Sequence, residues 1–320
     1  MEPLDPRRFR PVPRFTGPEV SRRAGIPHEY AKRLWLALGL PDVPDDEVEF
    51  DDRDLEVLGS LKLILDQGYS EEEILEVGRA YGQALSRVAQ AEVRVFNKAF
   101  ITPLKESTAS DEEIAQKLSD VIPVLLDMLG GLLDHIHRRH LALALQHVTS
   151  YNAYGPSEEL AAGFVDLVDF SRVTQELEGE DLGELVSRYE SLAVEQCVEG
   201  GAHVVKMIGD AVMFVSPDAS VALTVALRVV AAVEADEALP AARAGLDYGP
   251  AVALGGDFFG RPVNVAARLT SFARPATVVV SAGLKDALPA EPDVSSIGKV
   301  RLHNVGQIRA YKVNGYPSAS

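Results

Sequence analysis

The spacing of apolar residues changes near residue 160, and this change constrains the fold more than any other feature of the chain. From about residue 16 to residue 149 the apolar residues recur at helical spacing, and no convincing strand run is present. After residue 160, short apolar runs such as AAGFVDLV, HVVKMIG and TVVVSA alternate with helical patterns such as DLGELVSRYESLAVEQC. The sequence therefore predicts a helical amino-terminal region followed by an α/β or α+β domain.

Charge and cysteine content limit the classes of function. The net charge of −17 opposes a general binder of nucleic acid or anionic membranes. Cys197 is the only cysteine, so the chain has no intrachain disulfide and suits a reducing cytoplasm. The start MEPLDPRRFR lacks the apolar core of a signal peptide, and the run VIPVLLDMLGGLL is too short to span a bilayer. We therefore expect a cytoplasmic protein without a transmembrane segment.

The segment TGPEVSRRAGIPHEYAKRLWLALGL has the outline of a helix-turn-helix. Thr16 is a candidate N-cap, and the helical pattern breaks between Gly25 and Pro27. An acidic connector, PDVPDDEVEFDDRD, and the helix start GYSEEEI follow. This order resembles the winged-helix domain of the MerR family over roughly residues 15 to 80. Because acidic residues occupy the wing position and would face phosphates, we do not expect nucleic-acid binding.

A helical pattern from Asp111 to about Thr149 carries more than half of the histidines of the chain. At 100° per residue, three of them fall within one arc of the helix: His137, His140 and His147. Three interpretations stay open, namely a solvated helix end, a metal site, and a proton switch that disfavours close helix packing as the pH falls.

Two aspartates interrupt apolar strand patterns in the second half of the chain. Asp166 lies in FVDLV, close to a predicted strand-to-helix turn, and Asp210 follows the turn in KMIGD. Lys206 lies four positions before Asp210, on the other side of the same turn. Charged residues in apolar strands are costly unless they are paired, hydrated or bound to a ligand. Two carboxylates from separate strands suit hard divalent cations that also bind phosphate oxygens.

A third polar group follows in GGDFFGRPVNVAARLTS, which contains Asp257, Asn264 and Arg268. Pro262 suits the first turn of a helix, and in that helix Asn264 and Arg268 are four apart and project from one face. An amide and a guanidinium on one face can stabilise negative charge that develops on a phosphoryl group.

With FVDLVDF, KMIGD and DFFGRPVNVAAR in this order, the chain resembles the class III nucleotidyl cyclases, specifically the adenylate cyclases, over about residues 158 to 315. The resemblance implies an α+β fold with a ferredoxin-like βαββαβ core. It also implies conversion of ATP into 3′,5′-cyclic AMP and pyrophosphate, with two divalent cations, Mg²⁺ or Mn²⁺, in each active site.

The same resemblance implies a role for each residue. Asp166 and Asp210 would bind the metals, and Lys206 and Asp257 would recognise adenine at N1 and at the exocyclic amine. Two residues would stabilise the transition state: Asn264 and Arg268. In this family each site takes the metal ligands from one protomer of a dimer and the other four residues from its partner, so we expect a homodimer.

Two features of the sequence depart from the family pattern. Asp169 stands where the family usually has glycine, which adds a negative charge near the triphosphate. In KVRLHNVGQIRAYKV no single lysine stands out as the family's ligand for the β and γ phosphates, and the candidates are Lys299, Arg301 and His303.

We divide the chain into a helical regulatory domain (1–105), connecting helices (106–155) and a catalytic domain (156–316). The order resembles actinobacterial adenylate cyclases with an autoinhibitory, pH-responsive amino-terminal module, and a small-molecule or lipid effector of that module stays open. A guanylate cyclase is one alternative, although Lys206 and Asp257 match adenine better. A DNA-binding regulator with a nucleotide-sensing cyclase-like domain is the other.

Overall fold

The computed structural model describes residues 11–107, 110–151, 157–177 and 179–315. The chain divides into two compact units, Met1–Thr149 and Ser150–Ser320. The first unit is mainly helical and the second is built on a mixed sheet, as the change of apolar spacing predicts. None of the helices in the described ranges combines the length and apolar composition that crossing a membrane requires.

The first unit begins with a small helical core. Its elements are β1 (Phe15–Thr16), α1 (Gly17–Ala24), α2 (His28–Ala37), β2 (Val48–Phe50) and α3 (Asp52–Asp66). Thr16 and Glu19 form a capping box at the start of α1, which confirms Thr16 as the N-cap. Within this helical region β1 and β2 pair as an antiparallel two-stranded sheet, which the sequence pattern did not predict. Strands of two and three residues are too short to show an alternating pattern.

Three further helices complete the first unit. They are α4 (Glu71–Phe96), α5 (Thr102–Glu106) and α6 (Asp111–Tyr151), and a π-helical turn, Asn97–Ile101, leads from α4 to α5. Ser70 caps α4 in a capping box with Glu73. The predicted connecting region forms one helix of 41 residues that continues through Pro123. Its first turns pack through Ile114, Leu118 and Ile122 against the π-helical turn.

The second unit is an eight-stranded sheet with the strand order β4-β5-β3-β6-β8-β10-β9, and β7 pairs with β6. The strands are β3 (Glu158–Leu167), β4 (His203–Ile208), β5 (Ala211–Ser216), β6 (Ala242–Leu254), β7 (Asp257–Gly260), β8 (Thr277–Ser281), β9 (Asp293–Leu302) and β10 (Gly306–Gly315). The helices are α7 (Phe170–Glu176), α8 (Gly179–Glu199), α9 (Ala219–Glu234), α10 (Arg261–Phe272) and α11 (Ala282–Ala287).

The order β3-α8-β4-β5-α9-β6 along the chain and the antiparallel pairing β4-β5-β3-β6 in space form a ferredoxin-like core, as predicted. The helices α8 and α9 bury residues such as Tyr189, Leu223 and Val229 against the sheet.

Helix α10 packs very closely against β6. A Cβ atom added to Gly245 would lie 2.2 Å from the backbone nitrogen of Thr270, so glycine is required for this approach. Val265 and Leu269 of α10 are fully buried. The exposed face of α10 is thereby held in a fixed orientation on the sheet.

Candidate active site

The two candidate metal ligands lie side by side. Asp166 is near the end of β3, and Asp210 is in the tight turn between β4 and β5. In the β3–β5 pair Asp166 lies opposite Ala211, and the N–H of Leu167 donates to the backbone oxygen of Asp210 at 3.1 Å. Burial, and then the negative charge of Asp166, raise the pKa of the Asp210 carboxyl above its usual range. The fold thus brings together two like charges from separate strands.

Arg243 neutralises part of this charge, and sequence reasoning did not select it. Arg243 lies opposite Asp166 on β6, and two of its nitrogens donate to Asp166 Oδ2 at 2.9 and 3.2 Å. A third donates to the backbone oxygen of Ser271 at 3.3 Å. The sequence does contain a signal for Arg243, because it is a charged residue inside the apolar strand pattern AARAGLDYGPAVAL. A charge in an apolar strand is also the feature that identified Lys206.

The donor set suits a divalent cation that substrate phosphates help to hold. Asp166 and Asp210 offer carboxylate oxygens, the ligands that Mg²⁺ and Mn²⁺ favour. In the part of the chain that the structure describes, no cluster of three or more histidine, cysteine, aspartate or glutamate side chains forms a metal cage. Mg²⁺ commonly takes one or two carboxylates and completes its shell with water and phosphate oxygens. The residues present therefore fit the expected cations.

A second charged group forms between β4 and β7. Lys206 Nζ donates to Asp257 Oδ2, and the N–H of Phe258 donates to Asp257 Oδ1 at 2.8 Å. The ladder of β4 shifts register between Val204 and Lys206, an irregularity of the kind that re-aims a side chain. The Lys206 and Asp257 side chains keep 32% and 27% of their surface exposed, so a ligand can reach them. This pair presents one cationic donor beside one anionic acceptor.

The third group lies on α10. Pro262 occupies its first turn, as predicted, and Asn264 and Arg268 are both exposed one helical turn apart. Asn264 Nδ2 donates to the backbone oxygen of Gly260 at 3.2 Å. Together these two residues offer an amide and a guanidinium to a ligand above the helix.

The six predicted residues fall into three groups. The structure joins Asp166 with Asp210, and it joins Lys206 with Asp257. Among the described residues, no hydrogen bond or ion pair links the two aspartates to the set Lys206, Asp257, Asn264 and Arg268.

The backbone conformation of Asp169 explains why the family usually has glycine at this position. Its φ of 56° and ψ of 24° lie in the left-handed region, and it precedes α7 without a side-chain capping bond. Glycine adopts this conformation freely, and aspartate is among the residues that tolerate it best. The Asp169 side chain is exposed.

The three candidates for binding the β and γ phosphates are also exposed. Lys299 and Arg301 are on one face of β9, opposite Arg309 and Gln307 of β10. His303 is in the turn that follows β9. Their role stays a prediction.

Of the three histidines predicted to sense pH, His137 has a defined contact. Its Nε2 lies 3.2 Å from the hydroxyl of Tyr81 on α4, and the two ring centroids are 5.8 Å apart. His140 is exposed, and the side chain of His147 is outside the described residues.

Comparison with known families assigns both halves of the chain. Residues 14–147 match the adenylate cyclase regulatory domain, and residues 153–315 match the adenylate and guanylate cyclase catalytic domain. The chain belongs to the class III cyclase family. The predicted combination of a regulatory module with a class III catalytic domain is thereby confirmed.

Curated relatives align with this cyclase over most of their length. This chain is 32% identical over 281 residues to an adenylate cyclase of Streptomyces coelicolor, and the alignment covers 86% of this chain and 72% of the relative. It is 30% identical over 313 residues to a pH-sensitive adenylate cyclase of Mycobacterium tuberculosis, covering 92% and 77%. An adenylyl cyclase crystal structure from P. aeruginosa superposes with a TM-score of 0.47 at 19% identity, covering 51% of this chain and 96% of that one.

Proposed function

We propose that this cyclase converts ATP into 3′,5′-cyclic AMP and pyrophosphate. The observation that carries the choice of base is the Lys206–Asp257 pair. Adenine presents an acceptor at N1 beside a donor at its exocyclic amine, which a lysine ammonium and an aspartate carboxylate complement. Guanine presents a donor at N1 and an acceptor at O6, so the same pair opposes it. The relatives named adenylate cyclase support the same choice.

Asp166 and Asp210 would hold two Mg²⁺ or Mn²⁺ ions. When bound, the ions would lower the pKa of the ribose 3′-hydroxyl and offset the charge of the triphosphate. The raised pKa of Asp210 supports this role, because a cation relieves the repulsion between the two carboxylates. Arg243 also neutralises Asp166, and with a cation bound there its guanidinium would be available to a phosphate oxygen of the substrate.

Asn264 and Arg268 would act on the reacting groups. The amide of Asn264 orients the ribose, and Arg268 stabilises negative charge that grows on the α-phosphate during in-line attack. Their fixed separation on the exposed face of α10 supports a shared task, since Gly245 holds that helix tightly on the sheet.

Two protomers would build each site. Within the described part of one chain, no hydrogen bond or ion pair joins the metal pair, the Lys206–Asp257 pair and the two α10 residues to one another. A twofold homodimer with the aspartates of one chain facing Lys206, Asp257, Asn264 and Arg268 of the other would complete two equivalent sites. Lys206 and Asp210 of one chain would then serve opposite sites.

The direct test is to compare ATP and GTP as substrates of the purified full chain with Mn²⁺. We expect kcat/KM for ATP to exceed that for GTP by at least about 100-fold, since mismatched donors leave buried polar groups unpaired. Equal turnover of the two nucleotides, or a preference for GTP, would refute the proposed base recognition.

We also propose that the first unit makes this activity depend on pH. The relative from Mycobacterium tuberculosis named pH-sensitive supports this, and so does the contact between His137 and the Tyr81 hydroxyl. Protonation would end the ability of His137 Nε2 to accept that hydrogen bond and would add a positive charge to α6. Activity from pH 5.5 to 8 should therefore differ between wild type and a variant with His137, His140 and His147 changed to Gln. Superimposable profiles would exclude these histidines as the sensor.

A further inference from the structure

A buried tyrosine touches both strands that carry the candidate metal ligands. Tyr189 of α8 is 1% exposed, and its hydroxyl donates to the backbone oxygen of Val165 on β3 at 2.8 Å. The backbone N–H of Val212 on β5 also lies against the phenol oxygen, where it favours the phenolate. Val165 and Val212 are opposite each other in the β3–β5 pair. The hydroxyl thus binds β3 at the point where β3 pairs with β5.

This contact is next to the two carboxylates in sequence. Asp166 directly follows Val165, and Asp210 comes two residues before Val212. The charges of Asp166 and Asp210 both reach the phenol and, with burial as the larger cause, raise the pKa of Tyr189. The hydroxyl therefore stays protonated and remains a donor.

The Tyr189 ring belongs to an apolar cluster that includes Ala193, Cys197 and Val212, so a phenylalanine ring at this position would keep the apolar surroundings. Burying a hydroxyl is costly unless it is hydrogen-bonded. Here the hydroxyl donates to the carbonyl of Val165, and the next residue along the strand is the candidate metal ligand Asp166.

We propose that Tyr189 is a positioning residue that anchors β3 where it pairs with β5 and so sets the separation of the Asp166 and Asp210 carboxylates. This inference rests on the proposed metal-binding role of the two aspartates. The tyrosine acts through the backbone and touches neither the substrate nor the cation. Its effect is on the affinity of the site for the divalent cation.

The test is Mn²⁺ binding by the full-length Tyr189→Phe variant. Free Mn²⁺ is followed by its electron paramagnetic resonance signal without nucleotide, because a triphosphate would itself bind Mn²⁺. We expect the Mn²⁺ dissociation constant to rise by about tenfold, the lower end of what loss of an outer-shell partner costs a metal site. The matched control is Tyr248→Phe, which removes a phenol hydroxyl from β6 of the same sheet and should leave Mn²⁺ binding unchanged.

Two more variants separate the possible failures. With 4-aminophenylalanine at position 189 the ring keeps a donor, so Mn²⁺ affinity should return towards that of the wild type. Affinity as weak as that of Tyr189→Phe would overturn the positioning role, and it would do so even where Tyr189→Phe is too unstable to measure. Asp210→Asn is the reference for the metal assignment and should abolish Mn²⁺ binding.

If Asp210→Asn abolishes binding and Tyr189→Phe binds Mn²⁺ like the wild type, the positioning role is wrong and the metal assignment stands. If Asp210→Asn binds Mn²⁺ normally, the metal assignment fails and the role of Tyr189 fails with it.

Discussion

Replacing Lys206 with methionine tests base recognition at its most specific contact. The change removes the ammonium and keeps an unbranched chain of similar length. In the structure it also removes the partner of Asp257 Oδ2, while the N–H of Phe258 still donates to Asp257 Oδ1 at 2.8 Å. Because both side chains are about a third exposed, loss of the ion pair should lower the free energy of unfolding by less than about 1 kcal/mol.

The effect on catalysis should be larger than the effect on stability. A hydrogen bond to a charged group contributes about 1.5–3 kcal/mol, so kcat/KM for ATP should fall by about 10- to 150-fold. The assay is cyclic AMP formation by the full chain with Mn²⁺, alongside thermal unfolding of the same samples.

A substrate analogue separates the two contacts of the pair. Purine riboside triphosphate keeps N1 of the ring and lacks the exocyclic amine. With this analogue Lys206→Met should still lower kcat/KM, whereas Asp257→Ala should lose most of its effect. If Lys206→Met turns over ATP at nearly the wild-type kcat/KM, or if Asp257→Ala impairs both substrates equally, the assignment of this pair to adenine is wrong.

Three other variants test the remaining parts of the site. Arg268→Ala should lower kcat by about a hundredfold or more, because it removes a charged donor worth about 3 kcal/mol in the transition state; an unchanged kcat would contradict this. Arg243→Gln should weaken ATP binding through loss of a cation, and it should raise KM for ATP more than Arg243→Lys does; equal KM values would contradict a role for the guanidinium. Asp210→Asn should be inactive and, without metal, more stable than the wild type at pH 7. The pKa of Asp210 is raised in the folded state, so the folded chain holds this proton more tightly than the unfolded chain and the wild type loses stability as the pH rises through that pKa. The difference in the free energy of unfolding should therefore grow with pH and vanish in acid, and chemical denaturation across pH measures it; a constant difference would refute the electrostatic cause.

The local elements were predictable because their signals are local. The capping boxes at Thr16 and Ser70 each involve residues three positions apart, and the structure forms both. The first turn of α10 at Pro262 is of the same kind. Such contacts depend on neighbouring residues alone, and the tertiary fold leaves them intact.

The convergence of Asp166 and Asp210 was predictable for a different reason. Each carboxylate interrupts an apolar strand, and a charge placed there needs a partner or a ligand. The family motifs then supplied the order of the strands.

Arg243 and Tyr189 were not selected because their partners are distant in sequence. Arg243 contacts Asp166 across 77 positions, and the Tyr189 hydroxyl reaches Val165 across 24. Strand order and strand register decide these contacts. The apolar spacing within a single strand predicts neither of them. A tyrosine in a helical pattern is also what an ordinary core position contains.

The most direct test of a site shared between two protomers is complementation between two inactive chains. Asp210→Asn lacks a metal ligand, and Arg268→Ala lacks a transition-state donor. When the two are mixed and allowed to exchange subunits, half of the dimers should be mixed, and each mixed dimer should contain one intact site and one doubly defective site. The mixture should therefore form cyclic AMP at about a quarter of the wild-type rate. If subunits exchange and the mixture stays as inactive as its parts, all six residues act within one chain, and the account of the active site is wrong.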